Sequence, residues 1–145
     1  MKKIKMNYKI IAKYIKSLKF EIPNPKTFFL LAENISKYKI NIDIKSKQFK
    51  ERLVEVETCL SLNTKDENIE KINTQIIHST IIELEGEIKN NEKTIEEIIL
   101  IKVPNEIYSE VREAFIFLFE KSGFKKIKID EKVDFKELYN KRKIQ

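Results

Sequence analysis

The residues able to do chemistry in this chain are few and lie far apart. The single histidine, His78, falls inside an alternating, strand-like run with no His or Cys at metal-ligand spacing nearby, so a packed or surface imidazole is expected. The single cysteine, Cys59, also sits mid-strand with no histidine close in sequence, which points to an inert thiol and not a nucleophile. Only two glycines occur, Gly86 and Gly123, too few for a glycine-rich phosphate cradle. Glu83, Glu85 and Glu87 recur every second residue and would share one face of a strand. Such a ladder could serve acid–base work or a hard cation. It reads more simply as the wet face of a half-exposed strand, or as an acidic strip for a basic partner. The residues give no positive argument for an enzyme, and neither cofactor nor metal is expected.

The 145 residues suit one domain, 1–145, long enough to bury a core without staples. Hydrophobic residues make up 41% and charged residues 36%, the signature of a soluble, heavily charged globule. Formal net charge is +6, yet only Arg52, Arg112 and Arg142 are arginines. The basic excess is lysine spread through every segment, without the arginine that favours bidentate base and phosphate recognition. A basic nucleic-acid-binding module is therefore the weaker alternative, and no nucleic-acid partner is expected. One cysteine excludes an internal disulfide and fits a reducing compartment. The N-terminal MKKIKMNYKIIAKYIK is interrupted by lysines too often for a signal peptide, and no run reaches membrane-span length. A cytoplasmic protein without membrane insertion is expected.

These residues must be positioned by a small set of elements. Pro104–Gly123 reads as the main helix, with Pro104 in its first turn, Glu106 and Glu110 near its N-terminal end, and Lys121 then Gly123 closing it. Ile107, Tyr108, Val111, Ala114, Phe115, Leu118 and Phe119 form one broad apolar face, while Ile116 and Phe117 fall on the opposite side. A second subunit covering Ile116 and Phe117 is expected. Residues 8–22 fit a helix through Ile11, Tyr14, Ile15 and Leu18, or a strand through Leu18, Phe20 and Ile22. Pro23 and Pro25 end whichever forms. Lys26–Lys37 is expected to be a crossing segment, unusually apolar through Phe28, Phe29, Leu30 and Leu31.

Tyr38–Ile44 alternates strictly and reads as a strand, followed by a turn at Ser46–Lys50. Arg52–Asn63 and Gln75–Ile88 alternate likewise, joined by a polar connection at Thr64–Lys71. A short helical approach at Thr94–Lys102 precedes the main helix. Asp134–Lys143 closes the chain as a second helix, Asp134 at its N-cap and Phe135, Leu138 and Tyr139 on one face. Strands first and helices afterwards give an α+β fold with an antiparallel sheet. The apolar surplus at Phe28–Leu31, on the far side of the main helix and on the 38–44 strand is consistent with a dimer interface. It is equally consistent with an open groove for extended apolar polypeptide.

In order and spacing, the chain resembles the SecB family of bacterial protein-export chaperones from about Lys9 to Arg142. Phe20, Glu21, Pro23 and Asn24 match the family's first-strand signature, and Glu55 with Val56 its Tyr-Glu-Val strand. Pro104-Asn105, Arg112-Glu113 and Gly123-Phe124 resemble the landmarks of its main helix, and Val133-Asp134-Phe135 the start of its last. The resemblance implies a four-stranded antiparallel sheet, with Tyr14–Ile22 as a strand and a long and a short C-terminal helix on one face. It also implies assembly as a dimer of dimers, a homotetramer, with the main helix between dimers.

The function implied is ATP-independent holding of unfolded precursor proteins in a translocation-competent state, with delivery to the motor ATPase SecA. By matching position, Tyr38, Ile40 and Ile42, the aromatics Phe28 and Phe29, and Phe135, Leu138 and Tyr139 would line the client groove. Glu21 and Glu83, with Ile81 beside them, would form the surface for the motor. The chain departs from the family's pattern at Ser17, where an aspartate is usual, in its basic YNKRKIQ ending in place of an acidic or small-residue tail, and in its positive charge. Some SecB-like proteins serve a single partner such as an antitoxin, and this is the alternative within the family.

Overall fold

The alternation that begins at Tyr38 builds a long hairpin of β2 (Tyr38–Lys50) and β3 (Leu53–Thr64), continued by β4 (Asn73–Glu85). The computed structural model describes residues 6–35, 38–64, 72–125 and 127–144. The basic residues 1–5, most of the polar connection at 64–71, and Gln145 of the basic ending lie outside the described residues. β1 (Asn7–Glu21) pairs with β4, giving an antiparallel sheet in the order β1-β4-β3-β2. The ambiguity over residues 8–22 thus resolves as a strand as far as Glu21. Its helix-like spacing arises from register shifts between Ile10 and Ala12 and between Ile15 and Ser17, which interrupt the two-residue period.

Two expectations are corrected. Lys26–Lys37 is not a bare crossing segment: Pro25–Asn34 forms α1. Asn24 caps it, its Oδ1 accepting from the Thr27 amide at 2.8 Å, and Pro25 occupies the first turn, where its missing N–H costs nothing. The Asn-Pro pair that reads as a strand breaker is therefore also a helix start. The turn expected at Ser46–Lys50 is strand, because Ser46, Lys47 and Gln48 continue the ladder opposite Val56, Glu55 and Val54, and the chain reverses at Glu51 and Arg52. Polar residues do not end a strand whose face is open to water.

Beyond Gly86, α2 (Glu92–Glu97) runs through a π-helical turn (Ile98–Lys102) into α3 (Val103–Lys121). Pro104 has no N–H to give the Leu100 carbonyl, and one residue earlier the Val103 amide reaches back five residues to Ile98 O. α3 lays Ile107, Val111, Phe115 and Phe119 on the sheet, all buried. Gly123 ends it at φ +100, where a Cβ would also press on the Phe28 ring at 3.3 Å. α4 (Phe135–Ile144) starts at Asp134, whose carboxylate accepts from the Glu137 amide.

All even-numbered positions of β4 from Thr74 to Leu84 are buried under the helices. Among them is His78, held between Ile15 on β1 and Thr58 on β3, near the Lys13–Glu110 ion pair that joins β1 to α3. Burial pushes the His78 imidazole pKa below its ordinary value, outweighing the attraction of Glu110. The unfolded chain binds a proton on this ring near pH ~6.5 and the folded chain only at lower pH, so stability falls as pH drops below ~6.5. His78→Gln is expected to flatten that part of the pH profile in urea titrations. An identical slope in the variant would assign it to other groups.

Candidate functional site

The helix-covered and open faces of the sheet present different surfaces. On the covered side, β2 is the outer strand, and Tyr38, Ile40, Ile42 and Ile44 point toward α4 and the segment 127–134. The spaces between them form a chain of hollows. One of about 370 Å³ is lined by Tyr38, Ile40, Ile42 and Tyr108 together with Ile129 and Val133. The next, about 360 Å³, shares Ile40 and Ile42 and adds Leu138. A third of about 300 Å³ lies between Ile42, Ile44, Leu100, Leu138 and Tyr139, and a fourth of about 620 Å³ continues past Ile44 to Ile95 and Ile99. Each shares residues with the next. From Tyr38 to Ser46 the groove follows eight residue steps, or ~26 Å of strand at ~3.3 Å per residue.

The groove's far wall is held by polar contacts. Tyr108 Oη donates to Asp130 O at 2.7 Å, and the Arg112 guanidinium donates twice to Ile129 O at 3.1 and 3.0 Å. Two α3 side chains thus fix the backbone of a segment without regular hydrogen bonding of its own. Arg142 of α4 reaches back to Ile44 O at 3.5 Å. The walls are therefore set before anything binds, which lowers the ordering cost of binding.

The structure brings Tyr38, Ile40, Ile42, Leu138 and Tyr139 together in this groove, with Tyr139 itself buried and Leu138 41% exposed. Phe135 is a core residue, its ring 5.8 Å from Tyr108 beneath the wall. Phe28 and Phe29 lie at the start of α1: Phe28 packs on Phe124 at 4.7 Å, and Phe29 stands 64% exposed beside it. Ile44 and Leu100 line the groove without having been singled out in the sequence. Ile44 was visible as the end of the alternating run, whereas Leu100 depends on the π-helical turn. Phe117 is 57% exposed on α3, and Ile116 is half-buried.

On the open face, Ile81 is half-buried and Glu83 exposed, and both sit on β4. Glu21 pairs with Asn73 at the opposite end of the same strand, ten residues from Glu83, or ~33 Å. Between them lies a carboxylate network. Glu55 accepts from Ser79 Oγ at 2.8 Å, Tyr14 Oη at 2.9 Å and Lys16 Nζ at 3.0 Å, and Lys16 also bonds Glu57. The Ser79 hydroxyl and the Lys16 ammonium hold the Glu55 pKa below the usual carboxylate range, and Glu57 with Glu55 holds that of Lys16 above its own. Cys59 shares this face, its thiol pKa pushed up by burial, as expected of an unreactive sulfur. Among the described residues, no cluster of His, Cys, Asp and Glu is arranged to hold a metal, and no helix is long and apolar enough to cross a membrane.

Residues 2–145 match the family described as Preprotein translocase subunit SecB. The putative protein-export protein SecB of Pelagibacter ubique is 39% identical over 136 residues, covering 94% of this chain and 96% of that protein. The protein-export protein SecB of Anaplasma marginale is 25% identical over 142 residues, covering 90% and 79%, and that of Anaplasma phagocytophilum is 23% identical over 145 residues. Sheet, helices and relatives together define a non-enzymatic protein-export chaperone. The chain belongs to the SecB family.

Proposed function

We propose that this protein holds unfolded or precursor polypeptides in the groove along β2, without ATP, keeps them translocation-competent in the cytoplasm and delivers them to a SecA-type translocation ATPase. The observation that carries this reading is the run of adjoining hollows, walled on one side by Tyr38, Ile40, Ile42 and Ile44, beside a strand with no outer neighbour among the described residues. A strand edge offers main-chain hydrogen bonds that any extended sequence can use, and the hollows supply pockets for alternate side chains. A client burying ~500 Å² of apolar surface gains on the order of 12 kcal/mol before ordering costs. Most of that is offset, so a competing partner can drive release. The test is light scattering of a slowly refolding secretory precursor without ATP. Suppression near one assembly per client supports holding. Unchanged aggregation beside a folded protein would favour dedication to one partner, such as an antitoxin.

Delivery would use the open sheet face, where Ile81 and Glu83 stand at one end and Glu21 at the other. A motor touching all three must cover most of that face. Self-assembly as a homotetramer is supported by two apolar exposures. Ile11, Ile15 and Leu18 are each about half exposed on β1, which has no outer neighbour among the described residues, and Phe117 is exposed on α3. Ile15→Lys with Leu18→Lys, and separately Phe117→Lys, are each expected to lower the mass measured by light scattering coupled to gel filtration. Unchanged mass in both would remove these surfaces from the assembly.

A further inference from the structure

The turn between β2 and β3 carries more positive charge than its strands require. Lys45, Lys47, Lys50 and Arg52 stand against one carboxylate, Glu51, within eight residues. Arg52 is committed, donating to Leu84 O and Gly86 O. The three lysines are not. Register places Lys45 directly opposite Glu57 and Lys47 opposite Glu55, positions where cross-strand ion pairs form readily. Both carboxylates turn away instead, toward Lys16, with Ser79 and Tyr14 also bonding Glu55. Among the described residues no carboxylate lies within ion-pair distance of Lys45, Lys47 or Lys50.

Phe49 stands among these lysines, 49% exposed and with no aromatic partner among the described residues. It lines none of the hollows described above. The tip that carries it is braced by the Gln48 amide, which donates to Lys50 O at 3.2 Å and Glu51 O at 2.8 Å. A convex, braced tip bearing one bare aromatic ring and three unpaired ammonium groups suits a soft, anionic interface better than a rigid pocket.

We propose that the β2–β3 turn is an adsorption site for anionic lipid headgroups, with Lys45, Lys47 and Lys50 meeting the phosphates and Phe49 entering the interface. The contact is peripheral and does not span the bilayer. Lys47, Phe49 and Lys50 line none of the hollows of the client groove, and Lys45 stands at the edge of its fourth. One turn holds such a surface weakly, and self-assembled copies would hold it through several turns at once.

The chain contains no tryptophan, so Phe49→Trp places a single reporter at the tip. Its emission is expected to shift to the blue with vesicles of phosphatidylcholine and phosphatidylglycerol. The shift should reverse on added salt and be absent with phosphatidylcholine alone. Replacing the three lysines with glutamine in that background should weaken partitioning by about a hundredfold, at roughly fivefold per lysine. The proposal is overturned if phosphatidylglycerol vesicles give no shift, or if both vesicle types give the same shift. It is also overturned if the glutamine variant, still folded by circular dichroism, partitions like the parent. An equal shift with soluble polyglutamate would assign the turn to an acidic polypeptide in place of lipid.

Discussion

Ile40→Asp together with Ile42→Asp is expected to abolish suppression of precursor aggregation, with client affinity falling by more than about a hundredfold. The two side chains are half-buried neighbours on one face of β2, and both line the two hollows of the groove nearest segment 127–134. Removing both isoleucines takes away roughly 2 kcal/mol of burial each, and a client would then also have to desolvate two carboxylates. Because β2 is an outer strand, the sheet can keep its pairing to β3, which circular dichroism would verify. Leu138→Asp provides an independent check from the opposite wall: it is 41% exposed on α4, so the fold has little stake in it. A Leu138→Asp protein that is folded and still suppresses aggregation fully would exclude this groove as the client site.

The largest effect on stability is expected from Phe119→Ala, a loss of about 3–5 kcal/mol. Phe119 is fully buried at the end of α3 and is the hub of the aromatic core. Its ring centre lies 4.9 Å from Phe20 on β1, 5.1 Å from Phe115 one turn earlier, and 5.6 Å from Phe124 beyond the helix stop. Phe124 in turn holds Phe28 of α1. Removing the central ring leaves a cavity between strand, helix and the α1 cap that rigid neighbours cannot close. A chain of this size has a total stability of about 5–15 kcal/mol, so the variant would be marginal at 37 °C. Chemical denaturation of both proteins measures the difference. A loss below about 1 kcal/mol would mean that the site collapses around the gap.

Where one physical signal dominated, the sequence was readable. The two-residue periods of Tyr38–Ile44 and Arg52–Asn63 identify the first half of β2 and nearly all of β3, because each strand buries one face only. The Ile107–Phe119 stripe identified the sheet-facing side of α3 for the same reason. β1 was ambiguous because its two irregularities place apolar residues at intervals that a helix would also use. α1 was hidden because a proline pair signals interruption unless the capping geometry of Asn24 is known. The groove was half legible. Tyr38, Ile40 and Ile42 announce themselves as apolar residues on a strand, but whether such a row is covered or open depends on how segment 127–134 hangs from Tyr108 and Arg112. Phe135 and Leu138, one helical turn apart and both apolar, ended in the core and at the surface respectively.

The irregularities in β1 set where this protein can change length. Ile10 pairs with Ile82 and Ala12 with Ile81, and Ile15 pairs with His78 and Ser17 with Ile77, so Ile11 and Lys16 are each supernumerary in the ladder. Deleting either would leave every remaining pair in register and every face unturned, which is true of no other position between them. Gaps between relatives in this strand should therefore gather at these two points. The two are not equivalent to natural selection: the residue gained at one is a surface isoleucine, while the other is the lysine on which the carboxylates of the open face converge. A lineage that drops the second insertion frees Glu55 and Glu57 from Lys16 and hands them to Lys47 and Lys45, which stand opposite them across the β2–β3 ladder.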